Sequence, residues 1–406
     1  MPSYSPFRPR HSTPPGSAPP LPRLRAKLPA MKPKPASLEF DRNLESAWTL
    51  PSRLYTDPAV LELEKEKIFR RTWQLAGTTR RSCGEAEGAR KTLGDPETYL
   101  CAEVIGEPVV LARDGAGELR AFSNVCRHRA GPIAEGAGCR KTFRCGYHGW
   151  TYTLDGRLVG TPDVDGMEIF DRSTMGMVPL ALAQWEQFLF VNFDRAAPSL
   201  AAFLDDMPER ARRFAVPEFE FAERRDYVVE CNWKVYVDNY LEGYHIPIAH
   251  PGLMREIDYA GYRVEPRRYS SQQIAPVRPK PSGAAGDARV YGEPGQDEAL
   301  YYWVFPNLML NLYPGNLQVN LIVPLTHEKT LTIFEWYYHD ANSPAVRERM
   351  QRAVEFSHQV QNEDIHLCEA VQRGLRSSTY DRGRYSVKRE NSVHHFHSLL
   401  VEFLER

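Results

Sequence analysis

Apolar and polar positions change their rhythm three times along the chain, and each change marks a unit. Residues 1–36 are rich in Pro, Ser, Arg and Lys with no Asp or Glu, and bury too little apolar surface to fold alone. Residues 37–73 lead in with Leu61, Leu63, Ile68 and Phe69 interleaved with Glu and Lys. That is the spacing of an amphipathic helix, opened by Asp57-Pro58 at its cap. Over 74–182 short apolar runs (Tyr99-Leu100-Cys101, Val109-Val110-Leu111-Ala112, Thr151-Tyr152-Thr153-Leu154) alternate with Gly, Asp and Pro turns. Asp114-Gly115 and Asp155-Gly156 are hairpin signals, so this stretch predicts a small all-β domain. Over 183–406 the runs lengthen: strands at 188–193, 226–229, 317–324 and 330–338, a helix over 200–214, and a long helix capped by Ser343-Pro344 and reaching about Leu375. The whole reads as α+β, a small β domain followed by a larger one with a long helix over an antiparallel sheet.

Charge narrows the partners. Lys and Arg number 51 against 52 Asp and Glu, which argues against a general nucleic-acid or anionic-membrane binder. The most apolar stretch, 177–193, is broken by Gln184, Glu186 and Gln187, so no membrane span is expected. Seven cysteines, scattered and odd in number, are no disulfide framework and suit a reducing, cytoplasmic setting. The acid-poor leader also fits a transit peptide, although its prolines crowd out the usual amphipathic helix, and Met31 is an alternative start.

The chemistry concentrates in Cys126-Arg127-His128, a gap of 16 residues, then Cys145-Gly146-Tyr147-His148. Each half offers one thiolate and one imidazole from a short turn. Two sulfurs on one iron and two nitrogens on the other make a Rieske [2Fe–2S] cluster; a structural Cys2His2 zinc is the alternative. Cys83, Cys101, Cys139, Cys231 and Cys368 read as small buried apolar residues, with Cys139 near enough to be an alternative ligand. The run from Cys126 through Gly149-Trp150-Thr151-Tyr152 resembles the Rieske domain of the large (alpha) subunit of Rieske non-haem iron oxygenases.

That family needs a second metal site, and residues 232–251 supply a candidate. Asp238, Glu242 and His245 are spaced i, i+4, i+7 and would share a helix face. Gly243 weakens such a helix and Pro247 should end it, so His250 must reach the site from distorted backbone; residues five apart on a regular helix point about 140° away from each other. On the long helix Asp364 falls in an apolar stripe of Val360, Leu367, Cys368, Val371 and Leu375, a costly place for an acid without a metal or partner, whereas Glu363 is rotated off the stripe and expected in solvent. An ion pair with Arg373 or Arg376 is the plainer alternative for Asp364. His245, His250 and Asp364 are therefore the expected ligands of a mononuclear Fe(II), and their order after a Rieske motif is the order the family shows.

The resemblance implies more. Glu242 matches the carboxylate that bridges a cluster histidine of one subunit and an iron-ligating histidine of its neighbour. The catalytic domain is expected to be START/SRPBCC-like, the assembly a head-to-tail homotrimer, and the electrons to come from NAD(P)H through a separate flavin or ferredoxin reductase, since no Gly-rich dinucleotide fingerprint is present. Residues 363–375, Gly383-Arg384-Tyr385, residues 393–397 and 305–311 look like choline monooxygenases and related oxygenases of glycine betaine, stachydrine and carnitine. This implies O2-dependent hydroxylation or N-demethylation beside a quaternary nitrogen, with an aromatic-ring-hydroxylating dioxygenase as the alternative. Tyr259, Tyr262, Tyr301, Tyr302, Trp303, Phe305 and Tyr313 are candidate faces for such a cation. His394, His395 and His397 read as packing or interface residues. An electron-transfer protein without the triad and a zinc-stabilised binding module are the rival classes.

Overall fold

The computed structural model describes residues 39–86, 88–278, 298–313 and 315–406, so the expected 1–36 extension lies outside the described residues. Helix Pro58–Lys67 begins as its sequence dictates, with the Asp57 side chain accepting from the Ala59 amide and Pro58 in the first turn. Leu61, Ile68 and Phe69 are buried and Leu63 is half-buried. Glu64, on the same helix, is fully buried: it pairs with Lys234 Nζ at 2.7 Å and accepts from Trp233 Nε1 at 2.7 Å.

The β domain stacks short antiparallel sheets. Leu119–Ser123, Glu107–Arg113, Thr98–Val104 and Ala137–Cys139 form one sheet in that order; Leu158–Gly160, Thr151–Thr153 and Thr142–Arg144 form another. Their inward residues, Val110, Phe122, Phe143, Trp150 and Tyr152 among them, make one core that also encloses Cys126 and Cys145. Gly156 sits in the expected turn at φ 91°, where an added Cβ would meet Phe122 Cε1 at 2.5 Å, so the turn needs glycine on both counts. A third sheet orders Gln74–Thr78, Phe188–Asn192 and Ala181–Trp185, so a boundary at 182/183 falls inside a hairpin. All five residues of Phe188–Asn192 are buried, and a strand so placed takes a partner on each edge.

The segment 200–214 is not one helix. It breaks into Leu200–Leu204, Met207–Ala211 and a tight turn Arg212–Phe214, because Asp205 adopts φ 52° and Pro208 restarts the helix. The second domain is a seven-stranded antiparallel sheet in the order Glu220–Val229, Lys329–Tyr338, Asn316–Thr326, Leu308–Tyr313, Glu298–Val304, Ser270–Pro276, Arg263–Pro266. Helix Pro344–Leu375 packs on it, and helix Asn391–Glu405 buries Phe396, Leu399, Leu400 and Phe403. The long helix buries a face that overlaps the expected stripe but is rotated from it: Cys368 and Leu375 are buried as expected and Val360 and Leu367 half-buried, but Val354, Ser357, Gln361 and Gln372 also point inward, while Val371 is 51% exposed. Gln361 and Gln372 tolerate burial because Thr332 Oγ1 (3.1 Å) and the Asn232 amide (2.9 Å) satisfy them. Among the described residues no helix is long and apolar enough to cross a membrane.

Candidate functional site

The two Cys-containing turns are built alike. The Cys126 amide donates to Gly131 O and the Cys145 amide to Trp150 O, which closes each loop and aims its sulfur inward. Gly131 abuts the opposite loop; a Cβ there would lie 3.2 Å from Cys145 Sγ. Rings of His128 and His148 lie 4.5 Å apart, and His128 stacks on Trp150 at 4.9 Å. Tyr152 Oη is 3.3 Å from Cys126 Sγ, and the thiol pushes the phenol's pKa up further, after burial. His148 is held below its ordinary pKa by desolvation and by His128, favouring the neutral, ligating form. The Nδ1 of His128 is buried with no hydrogen-bond partner, an arrangement a bound metal would satisfy. These four residues therefore fit a cluster. Cys139 does not join them; its thiol donates to Cys83 O.

The second centre sits where the site helix Trp233–Tyr240 gives way to broken backbone. The helix stops at Leu241, earlier than i, i+4, i+7 spacing required, so Asp238 stays on the helix while Glu242 and His245 lie on the loop beyond it, and the three share one cavity wall without sharing a helix face. Gly243 is obligatory in that break, since a Cβ would come within 2.5 Å of the Tyr262 ring. His250 lies between short helices Ile246–Ala249 and Pro251–Glu256 at φ −120°, ψ 71°, which is the distortion that Pro247 and the five-residue spacing demanded. His245 Nε2, His250 Nε2 and an Asp364 oxygen all fall within 4.8 Å of one another. Asp364 Oδ1 stands 3.0 Å from His250 Nε2 and 3.7 Å from His245 Nε2. Arg376, an alternative partner for Asp364, pairs with Glu328 instead.

Each imidazole turns its other nitrogen onto a carboxylate. Glu242 Oε1 is 2.5 Å from His245 Nδ1, and its second oxygen accepts from the Tyr244 and His245 amides. Glu363 Oε2 is 2.6 Å from His250 Nδ1. The expectation of a solvated Glu363 is thus corrected: 100° from Asp364 is the helix edge, not its outer face, and the side chain folds back. For His250, burial lowers the pKa, but Asp364 and then Glu363 outweigh it and the net direction is upward.

A cavity of about 110 Å³ opens beside this triad. Tyr262, Tyr301 and Tyr313 line it as expected; Tyr259, Tyr302, Trp303 and Phe305 do not. Tyr236, Asn239 and Tyr240 line it too, and their i, i+3, i+4 spacing on the site helix was a signal in the sequence that went unused. Its polar wall is neutral and internally bonded: Tyr236 to Gln361, Tyr262 to Gln273, Tyr240 to Asn311 (2.6 Å), Gln318 to Asn320 (2.9 Å). The lining holds Glu242 and Asp364, and no Lys or Arg among the described residues. Asp238 faces a different cavity, where it accepts from Tyr55 (2.8 Å) and pairs with His397 (2.9 Å), whose other nitrogen meets Tyr385 at 2.6 Å. His394 meets the Asp41 carbonyl and is buried in the helix packing.

Comparison with known proteins identifies the family. Residues 88–171 match the Rieske [2Fe-2S] domain and residues 217–406 the ring hydroxylating alpha subunit (catalytic domain). A chloroplastic choline monooxygenase of Arabidopsis thaliana is 37% identical over 89% of this chain and 85% of its own length. The carnitine monooxygenase oxygenase subunit of Acinetobacter pittii is 32% identical over 87% of this chain and 92% of its own. The crystal structure of a quaternary ammonium Rieske monooxygenase, CntA, with L-carnitine superposes with a TM-score of 0.73 at 29% identity, covering 89% of this chain and 97% of that one. A naphthalene 1,2-dioxygenase shares the fold at TM-score 0.70 and 18% identity, over 88% of this chain and 92% of that one.

Proposed function

This chain belongs to the Rieske non-haem iron oxygenases, as an oxygenase subunit of the quaternary-ammonium branch, and on that premise we propose which residues carry the chemistry and what substrate they take. Cys126, His128, Cys145 and His148 hold the [2Fe–2S] cluster; His245, His250 and Asp364 hold the mononuclear iron. The convergence of those last three at the wall of an aromatic and amide-lined cavity is the observation that carries the reading. The bound groups supply single electrons and activate O2. Everything else falls to the chain.

Glu242 accepts the Nδ1 proton of His245 and so presents Nε2 inward. Its cavity on the Asp238 side is lined by Val371, Leu375 and Tyr380, and Tyr244, between the lining residues Glu242 and His245, is exposed, a surface suited to the exposed Tyr147 and half-buried His148 of a second copy. In a head-to-tail homotrimer Glu242 would link the cluster held by Cys126, His128, Cys145 and His148 of one subunit to the iron held by His245, His250 and Asp364 of the next, a route for single electrons. The family draws its electrons from a separate partner protein; for this chain an NAD(P)H-dependent flavin or ferredoxin reductase is the partner.

The substrate is a small quaternary ammonium compound. Tyrosine faces and two carboxylates favour a cation, worth up to about 2 kcal/mol per desolvated cation–π contact. Neutral amides suit a hydroxyl or other uncharged polar tail, whereas a carboxylate tail finds no cationic partner among the described lining residues. An aromatic hydrocarbon would set apolar surface against a wall of carboxylates and amides and use none of its polar groups. The experiment is NADH-dependent oxygen uptake and product formation with a surrogate reductase, comparing choline, glycine betaine, carnitine and aromatic acids. Coupled turnover with choline above the others is expected; preferred turnover of an aromatic acid would overturn the substrate reading.

A further inference from the structure

We propose that Glu363 is a positioning residue of the mononuclear centre: it fixes the tautomer and orientation of His250 and places negative charge behind that ring. This rests on His245, His250 and Asp364 holding the iron. The long helix delivers two consecutive acids to opposite ends of one imidazole, Asp364 Oδ1 at 3.0 Å from Nε2 and Glu363 Oε2 at 2.6 Å from Nδ1. His250 is only 1% exposed, so with Glu363 in place that carboxylate and not water takes the Nδ1 proton.

The Glu363 side chain keeps 27% of its surface in solvent, enough freedom to extend outward, yet it folds back onto the ring. Gln359, one turn earlier, grips its other oxygen at 3.1 Å and sets the carboxylate plane. An Nδ1–H donated to Glu363 leaves the Nε2 lone pair facing inward, and the anionic acceptor makes that nitrogen a stronger donor to a cation. Glu242 does the same for His245 from a loop. Glu363 differs in sharing a rigid helix with a metal ligand, so His250 and Asp364 are registered to each other through one element.

The test uses the full chain with its cluster assembled. Fe(II) affinity is measured by chelator competition, and the ligand field by EPR of the ferrous nitrosyl adduct, for wild type, Glu363→Gln, Glu363→Ala and Asp364→Ala. Loss of a carboxylate behind a ligating histidine typically weakens metal affinity roughly 10–100-fold, which is expected for Glu363→Ala together with an altered EPR line shape. Glu363→Gln keeps an oxygen acceptor but drops the charge, and should lie between. Unchanged visible absorption of the cluster confirms folding; should the alanine variant fail that check, the glutamine variant decides. Wild-type affinity and line shape in the Glu363 variants, with iron lost in Asp364→Ala, overturn this proposal alone. Iron retained in Asp364→Ala overturns the underlying metal assignment instead.

Discussion

Glu64 and Lys234 form an ion pair with side chains 1% exposed on each side, 2.7 Å apart, tying the N-terminal helix to the site helix. Glu64→Gln keeps an oxygen for Trp233 Nε1 but removes the charge, leaving a buried ammonium uncompensated. Breaking such a pair from one side costs about 3–5 kcal/mol, whereas removing both charges is close to neutral. Glu64→Gln should therefore lose roughly that amount and Glu64→Gln/Lys234→Met should return to within about 1 kcal/mol of wild type, read by urea unfolding with tryptophan fluorescence. The pH dependence supplies an independent sign. Burial already lowers the Lys234 pKa against the opposing pull of Glu64, and neutralising Glu64 lowers it further. With the folded pKa below the unfolded one, the penalty vanishes above the unfolded lysine pKa and grows as pH falls through the window between them. The deficit of the single variant should thus shrink from pH 7 to 9 by up to about 1.4 kcal/mol per unit, and that of the double variant should not. A single variant within 1 kcal/mol of wild type, or a deficit flat with pH, refutes the reasoning.

Asp364→Ala should abolish mononuclear iron and substrate oxidation while the visible spectrum of the cluster survives, checked by metal analysis and absorption. Glu242→Ala, with iron supplied in excess, should retain both metals but slow oxidation of the reduced cluster at least tenfold in stopped-flow, on the order expected when a carboxylate next to a ligand is lost; a wild-type rate ends its role as conduit. Gly243→Ala drives a methyl into the Tyr262 ring at 2.5 Å and should raise KM for the substrate several-fold or more, measured by steady-state kinetics. Tyr152→Phe removes the hydroxyl 3.3 Å from Cys126 Sγ and should lower the cluster's reduction potential, followed by redox titration.

Local signals in the sequence carried the architecture. Cys126 to His148, the turns at Asp114-Gly115 and Asp155-Gly156, and the start of helices at Pro58 and Pro344 depend on neighbours within a few residues, and stand where expected. The broken backbone before His250 was legible too, because Gly243 and Pro247 constrain it whatever surrounds them. What failed depended on distant partners. The inward face of the long helix holds Ser357, Gln361 and Gln372, which look solvated until Gln318, Thr332 and Asn232 arrive from other segments. The burial of Glu64 depends on Lys234, 170 residues on, and the expectation of a solvated Glu363 failed for want of His250. Asp238 shared a helical spacing with Glu242, but the helix ended between them. The pairing of Gln74–Thr78 with Phe188–Asn192 is likewise a long-range choice that periodicity does not encode.

His250 and Asp364 meet across 114 residues of chain, a span that includes six of the seven strands in the large sheet. An ion held by them would act as a rivet: it would cross-link the sheet's far ends of sequence and remove conformational freedom from the opened chain, much as a metal clip closes a long loop. Demetallated protein should accordingly be nicked sooner by protease within that span, so the same atom that reacts with oxygen also guards the fold around it.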